Sequence, residues 1–272
     1  PTPVSAGMRK ITTIHDLAFE RFPQHFSWRS RLWFKIVNPK HEVETSSKII
    51  AVSEFTKREL EEVYKVDPEK VKVVLESVPG VLKPVMKERE LIKVRKKYNL
   101  PKDYFLTFST LEPRKNLENV VKGFSIFQRM HPLETYRLVL AGRKDPKMFG
   151  KVFLDEHPDV RMIGFVDEKD KAAVYSAARG LLFVSTYEGF GFPVLEGMAC
   201  GTPVITSKAA SMPEVAGEAA LSVDPYDSVK IADAMERLTR DTVAEECRMA
   251  GLKQVKNFSW KKAARQTLKV LI

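Results

Sequence analysis

The sequence predicts an α/β protein built on parallel sheets, and three observations carry that expectation. From Asp103 onward, short apolar runs alternate with longer stretches of helical periodicity. Those runs are continuously apolar rather than alternating, as strands buried on both faces require. The stretch "GLLFVSTYEGFGFPVLEGMACGTPVIT" (180–206) reads as strand, glycine loop, short helix, strand. That is the βαβ unit of a doubly wound sheet with right-handed crossovers.

Taken in order, "MRKITTIHD" (8–16) predicts a strand ending in a polar loop, and "SWRSRLWFKIVNPKHEVETS" (27–46) predicts helix, broken near Pro39. "KIIAVS" (48–53) reads as a strand whose Ser53 caps the helix "EFTKRELEEVY" (54–64), and "VKVVLE" (71–76) as a third strand. Residues 77–103 mix prolines, charges and one helix, and their first part reads as a linker. Beyond them, "YFLTFS", "YRLVLAG", "VRMIGFV", "GLLFVS", "PVIT" and "ALSV" predict six strands. Helices are expected over 116–130, 147–156 and 168–178, then over about 227–240 and 242–256. "SWKKAARQTLKVLI" closes the chain as a further helix. The region after about residue 100 thus holds a full doubly wound domain. The region before about residue 78 holds three clear strands, where a Rossmann-like half has about five or six, so the first domain reads as incomplete.

Composition bounds the function. The 272 residues are 44% hydrophobic, enough for one large or two modest domains. No apolar run approaches the roughly 20 residues of a membrane span. Two cysteines, Cys200 and Cys247, form no disulfide framework and no metal-ligand spacing, which favours the cytoplasm. The net charge of +10 favours an anionic partner: phosphate, nucleic acid or an anionic membrane surface. Without a zinc-finger, RRM or KH signature, nucleic acid is not expected.

The glycine loop carries the chemistry. Glu188 and Glu196 bracket it, with Gly189 and Gly191 between them. Pro193 suits the first turn of a helix and Gly201 its C′ position. A helix N-terminus at a strand's carboxyl end attracts phosphate, glycines admit close backbone approach, and carboxylates accept hydrogen bonds from hydroxyls. A ligand carrying both phosphates and hydroxyls, such as a nucleotide sugar, satisfies all three. An acid-enriched first helical turn with glycines for a tight bend explains the stretch as well.

"TIHDLAFERFP", "IIAVSEFTKREL", "STLEPRKNLENVVKGF", "LVLAG", "IGFVDEKDKAAVYSAA", "STYEGFGFPVLEGMACGTPVITSKAASMPEVAGEAALSVDP" and "FSW" occur in family order across nearly the whole chain. On these motifs the chain resembles the retaining glycosyltransferases of family 4, and among them the mannosyltransferases of polysaccharide and O-antigen synthesis. The resemblance implies a GT-B fold of two Rossmann-like domains facing across a cleft. It divides the chain into a partial, acceptor-side N-terminal domain (1–78), a linker region (79–100), a nucleotide-sugar-binding domain (101–256) and a C-terminal helix (257–272) returning to the first domain.

The same resemblance implies site roles. Glu196, second acid of the family's E-x7-E motif, holds ribose hydroxyls; Glu188, the first, contacts the donor sugar. Backbone groups of Gly189, Phe190, Gly191, Phe192, Val194 and Leu195 face sugar and distal phosphate. Arg114 and Lys115 of "EPRKN" lie on the diphosphate. Many relatives carry another arginine where this chain has Ser109 or Thr110, so the clamp is expected to be lighter. The bland alternative is a solvated basic pair before a helix, which the helix dipole disfavours. Gly164, Phe165 and Val166 pass the nucleobase through backbone contacts, which leaves GDP- and UDP-linked donors both open. His15, next to Asp16, faces the donor sugar across the cleft.

No cofactor beyond the donor substrate and no metal is expected, since no metal-ligand constellation is visible. The expected reaction moves a hexose, mannose foremost, to a glycan or lipid-linked glycan. Two rivals are a non-catalytic donor-binding module of a split enzyme and a same-fold nucleotide-sugar epimerase. "FERFPQHFSWRSRLWFK" (19–35) interleaves arginines with Phe22, Phe26, Trp28, Trp33 and Phe34. It fits a peripheral contact at the inner membrane face, or aromatics packed inward with arginines outside.

Overall fold

The computed structural model describes residues 9–142 and 157–272. The helix expected over 147–156 lies outside the described residues. The chain begins with β1 (Ile11–Ile14), α1 (Ala18–Arg21), α2 (Trp28–Val37), α3 (Pro39–Glu44), β2 (Lys48–Ala51), α4 (Glu54–Tyr64) and β3 (Val71–Val73). These strands form a parallel sheet of order β1-β2-β3, with Thr13 opposite Ile50 and Ile50 opposite Lys72. Asn38 takes the left-handed conformation (φ 50°) between α2 and α3, and Pro39 opens α3, so the helix breaks there. Ser53 is extended and its Oγ accepts the Thr56 N–H at 3.0 Å, so the capping residue ends the strand and starts α4.

The remaining elements are α5 (Glu88–Lys97), β4 (Tyr104–Phe108), α6 (Leu117–Met130), β5 (Arg137–Ala141), β6 (Val160–Gly164), α7 (Glu168–Ser176) and β7 (Gly180–Phe183). After them come α8 (Phe192–Ala199), β8 (Val204–Ser207), α9 (Met212–Ala216), β9 (Leu221–Val223), α10 (Ser228–Thr239), α11 (Asp241–Gln254) and α12 (Trp260–Leu271). Their sheet is parallel throughout, in the order β6-β5-β4-β7-β8-β9. The chain winds outward from β4 through β5 and β6, then returns to build the other half from β7. The switch point lies between β4 and β7, where open α/β sheets place their ligands.

Both faces of the larger sheet's central strands are covered, which is why β4, β5, β7 and β8 are buried almost throughout. Tyr104 and Leu106 of β4 enter one core with Val174 and Tyr175 of α7. Phe105 between them enters the opposite core with Phe124 and Phe127 of α6. Leu181 and Leu182 of β7 divide in the same way.

The stretch read as a linker carries α5, and its Leu82, Val94 and Leu100 are buried in the larger unit's core. Phe258 joins that core too, while Ala263 of α12 packs on Ile50 and Val74, so α12 lies against the smaller sheet. Among the described residues no helix is long and apolar enough to cross a membrane.

Candidate active site

The loop between β7 and α8 occupies the switch point. Gly191 caps α8 with φ 104°, and a Cβ there would meet the Met212 methyl at 2.3 Å. At the other end of α8, Gly201 (φ 70°) donates to the Met198 carbonyl and Thr202 to the Gly197 carbonyl, at 3.1 and 2.9 Å. That pair of bonds is a Schellman stop, available because glycine tolerates the left-handed conformation.

Gly189 marks a close approach of the two units: a Cβ on it would lie 1.6 Å from the His15 carbonyl oxygen. Its own carbonyl accepts from Ser53 Oγ at 2.5 Å and Thr56 Oγ1 at 3.2 Å. Ser211 Oγ donates to the carbonyls of Glu188 and Phe190. The Tyr187 ring is buried edge-on to Phe22 and Phe55, each 5.3 Å away. Its hydroxyl donates to Glu59 Oε2 at 2.9 Å and accepts from Leu17 N–H at 3.3 Å. Glu214 of α9 accepts from the Glu54 and Phe55 N–H groups at the start of α4, giving a helix terminus of one unit a carboxylate from the other.

The structure brings Glu188, Arg114 and Lys115 together. Glu188 Oε2 accepts from Arg114 Nη1 at 2.9 Å and Oε1 from Lys115 Nζ at 2.5 Å. Burial alone would raise the Glu188 carboxyl; Lys115 and Arg114 outweigh it and hold its pKa below the ordinary value. Glu112, almost fully buried, takes the Arg114 Nε–H at 2.8 Å and lies 3.6 Å from Lys115 Nζ. Asp16 Oδ2 is 3.8 Å from Arg114. The two cations therefore face three carboxylates, and their side chains are only 15% and 10% exposed, so they are not a solvated pair. Their turn is fixed by Asn116, which stands in the left-handed conformation (φ 59°) and donates to the carbonyls of Val184 and Pro225.

Glu196 lies apart from that cluster, on α8. Its oxygens accept from Lys171 Nζ at 2.6 Å and Tyr175 OH at 2.9 Å, both from α7. Burial, then Glu196 itself, pushes the Tyr175 phenol pKa well up, so it remains a donor. Lys171 also lies over the Phe108 ring at 5.2 Å.

The other expected site residues divide. Phe190 is buried, and packs against Phe192 and Phe258. Val194 and Leu195 are buried in full, and the Val194 N–H already bonds the Gly191 carbonyl at 3.1 Å. Gly164, the last residue of β6, turns with φ 70°, Phe165 is half exposed and Val166 is buried. His15 directly follows β1, with its side chain largely exposed and Nδ1 3.6 Å from Glu76 Oε1. Glu76, against the opposing effect of partial burial, raises the His15 pKa, with Asp16 adding to it. Among the described residues no group of three His, Cys, Asp or Glu is placed to hold a metal ion.

Sequence reasoning missed Glu112, Lys171, Tyr175 and Glu76. Lys171 and Tyr175 were legible as an i, i+4 pair on one helix face. Their convergence on Glu196 depends on how α7 packs beside α8.

Two parallel α/β units meeting over a glycine loop are the architecture of the GT-B fold. The sucrose-phosphate synthase of Thermosynechococcus elongatus superposes with a TM-score of 0.74 at 24% identity, over 96% of this chain and 66% of that one. Residues 88–256 match the family model "Glycosyl transferases group 1" and residues 3–78 match "Glycosyltransferase Family 4"; the chain belongs to this glycosyltransferase family. It is 30% identical over 269 residues to the O-antigen chain mannosyltransferase B of Escherichia coli, covering 96% of this chain and 69% of that protein. It is 29% identical over 236 residues to the serotype-specific mannosyltransferase WbdA of Escherichia coli, covering 84% of this chain and 29% of that protein.

Proposed function

We propose that the chain transfers a mannosyl unit from a GDP- or UDP-linked donor to a glycan or lipid-linked glycan of the O-antigen kind, retaining configuration and without a metal ion. The observation that carries this reading is the Glu188–Arg114–Lys115 cluster at the β4/β7 switch point. The mannosyltransferases it resembles supply the sugar and the acceptor class. The free cysteines Cys200 and Cys247 support a cytoplasmic setting.

On this reading Glu196 accepts hydrogen bonds from the ribose hydroxyls, steadied by Lys171 and Tyr175. Phe165 and its neighbours flank the base. The incoming diphosphate takes Arg114 and Lys115 from Glu188, whose freed oxygens accept sugar hydroxyls. As the bond from C1 to the phosphate oxygen breaks, the leaving group gains negative charge, and the two cations stabilise it; one such donor typically supplies about 10²–10³ in rate. The acceptor hydroxyl attacks C1 from the same face and passes its proton to a leaving phosphate oxygen. His15 hydrogen-bonds the donor sugar beside that centre.

The test is a thermal-shift panel of nucleotide sugars, since a ligand stabilises by RT ln(1 + [L]/Kd). It is followed by NMR of the anomeric proton in the product, with and without EDTA. Stabilisation by GDP-mannose or UDP-hexose and an α-linked product in EDTA are expected. An inverted product, or dependence on added Mg²⁺ or Mn²⁺, overturns the mechanism.

A further inference from the structure

His15 and Glu76 leave the carboxyl ends of two strands that are not neighbours. Ile14 of β1 lies opposite Ala51 of β2, and Ala51 opposite Val73 of β3. Val74 extends the ladder by one bond, its N–H donating to the Ala51 carbonyl at 2.9 Å. The two backbones are thus two strand spacings apart, about 9.5 Å. The side chains close that gap over the end of β2, where His15 Nδ1 comes within 3.6 Å of Glu76 Oε1. Two residues past β2, Ser53 Oγ holds the glycine loop by the Gly189 carbonyl, so the pair stands where that loop docks.

Burial is unequal across the pair. The His15 side chain is 66% exposed and that of Glu76 15%. Glu76 borders a cavity of about 510 Å³ between the small sheet and α12, beside Ile50, Val52 and Val74. Its Oε2 is buried and, among the described residues, meets no hydrogen-bond donor. A carboxylate there loses hydration that the protein does not replace, which a purely stabilising group would avoid. Nor does the pair serve to join β1 to β3, since β2 already does so, and an ion pair with one exposed partner contributes little to stability.

What Glu76 does fix is the imidazole. The His15 backbone is set by the Gly189 contact and by Thr56 Oγ1, which donates to its carbonyl at 3.4 Å. Among the described residues the ring has no other polar partner. Asp16 accepts the Ala18 N–H at 3.0 Å and lies 3.8 Å from Arg114, which is itself paired with Glu188. α4 brings Thr56, and α12 lines the cavity with Trp260, Ala263 and Thr267, none of them charged. Glu76 therefore dominates the field at the ring, in keeping with the raised His15 pKa.

We propose that Glu76 is a positioning residue: its carboxylate takes the Nδ1–H of His15 and turns the opposite nitrogen, Nε2, towards the sugar of a bound donor. This role rests on the proposed place of His15 beside that sugar. With Nδ1–H committed to Glu76, the protonated ring presents Nε2–H to a sugar oxygen, and the neutral ring presents a bare Nε2. Only the protonated ring donates there, and the carboxylate keeps it protonated to higher pH than an unpaired histidine.

The experiment is a proton NMR titration of the imidazole signals of the full chain, His15 being assigned by the signal missing in His15→Gln. In Glu76→Gln the His15 midpoint should move to lower pH; in Glu76→Asp, which keeps the charge, it should move less. Isothermal titration then compares GDP-mannose or UDP-hexose, whichever the thermal-shift panel selects, with the matching bare nucleoside diphosphate. Between the two midpoints Glu76→Gln should bind the nucleotide sugar about tenfold more weakly, the contribution of one charge-assisted hydrogen bond, and the nucleoside diphosphate equally. Below both midpoints, where His15 is protonated in either protein, the variant should recover part of that loss. A midpoint unchanged in Glu76→Gln overturns the pairing. A midpoint that moves while both ligands bind as in the parent, or weaken together, overturns the positioning role and leaves the donor site standing. A parent that binds no nucleotide sugar overturns the proposed function and this role with it, while the titration, which needs no ligand, still reads the pairing.

Discussion

Glu188→Gln separates the two jobs proposed for the site. Glu188 occupies both Arg114 and Lys115, at 2.9 and 2.5 Å, and is almost fully buried. On the proposed reading a diphosphate displaces it. The amide has the same shape but no charge; one end accepts a weaker hydrogen bond and the other presents N–H groups to a cation. Each lost charge-assisted bond contributes roughly 1.5–3 kcal/mol. Relieving the competition at one cation should therefore tighten binding of bare GDP or UDP by about ten- to a hundredfold. Transfer should fall, because the sugar loses the carboxylate that receives its hydroxyls. Isothermal titration with nucleoside diphosphate and with nucleotide sugar reads both effects, alongside a turnover assay. Unchanged or weaker diphosphate binding in Glu188→Gln would refute the exchange of partners.

Glu196→Gln should act in the opposite sense, weakening nucleoside diphosphate and nucleotide sugar alike by about ten- to a hundredfold, since a charged hydrogen bond to ribose is lost; equal affinity in calorimetry contradicts the ribose role. Gly189→Ala places a methyl 1.6 Å from the His15 carbonyl, so the loop must move; about a 10²-fold loss of turnover is expected from such a displacement, and full activity overturns the close packing. Tyr187→Phe removes the bond to Glu59 and leaves the Leu17 N–H without its partner, which should cost about 1–3 kcal/mol in denaturant unfolding. Because the folded Glu188 carboxyl titrates below its unfolded value of 4.5, its stabilisation is present above pH 4.5 and is lost as pH falls through the folded pKa; the wild type should lose more stability than Glu188→Gln across that window, and parallel acid-melting curves would contradict the pairing.

Local sequence determined the elements that serve as scaffold. Apolar runs marked β4, β5, β7 and β8 because both faces of the sheet are covered there, and Ser53, Pro193 and Gly201 marked helix ends because capping is decided within a few residues. A role in hydroxyl and phosphate recognition is part of the proposed function, and the glycine loop and its two acids were equally visible in the sequence. What the acids touch was not. Glu188 meets Arg114 and Lys115 from 73–74 positions away, and Glu196 meets Lys171 from 25 away. Such pairings follow from strand order, since the crossover that puts β7 beside β4 aligns their carboxyl ends. Tertiary packing also turned residues 79–100 into part of the larger unit, because Leu82, Val94 and Leu100 found apolar surface that a linker would leave in water. In α2 the sequence listed phenylalanines and tryptophans together; only the fold, by placing Tyr187 under one side of the helix, decided that the former are core and the latter face outward.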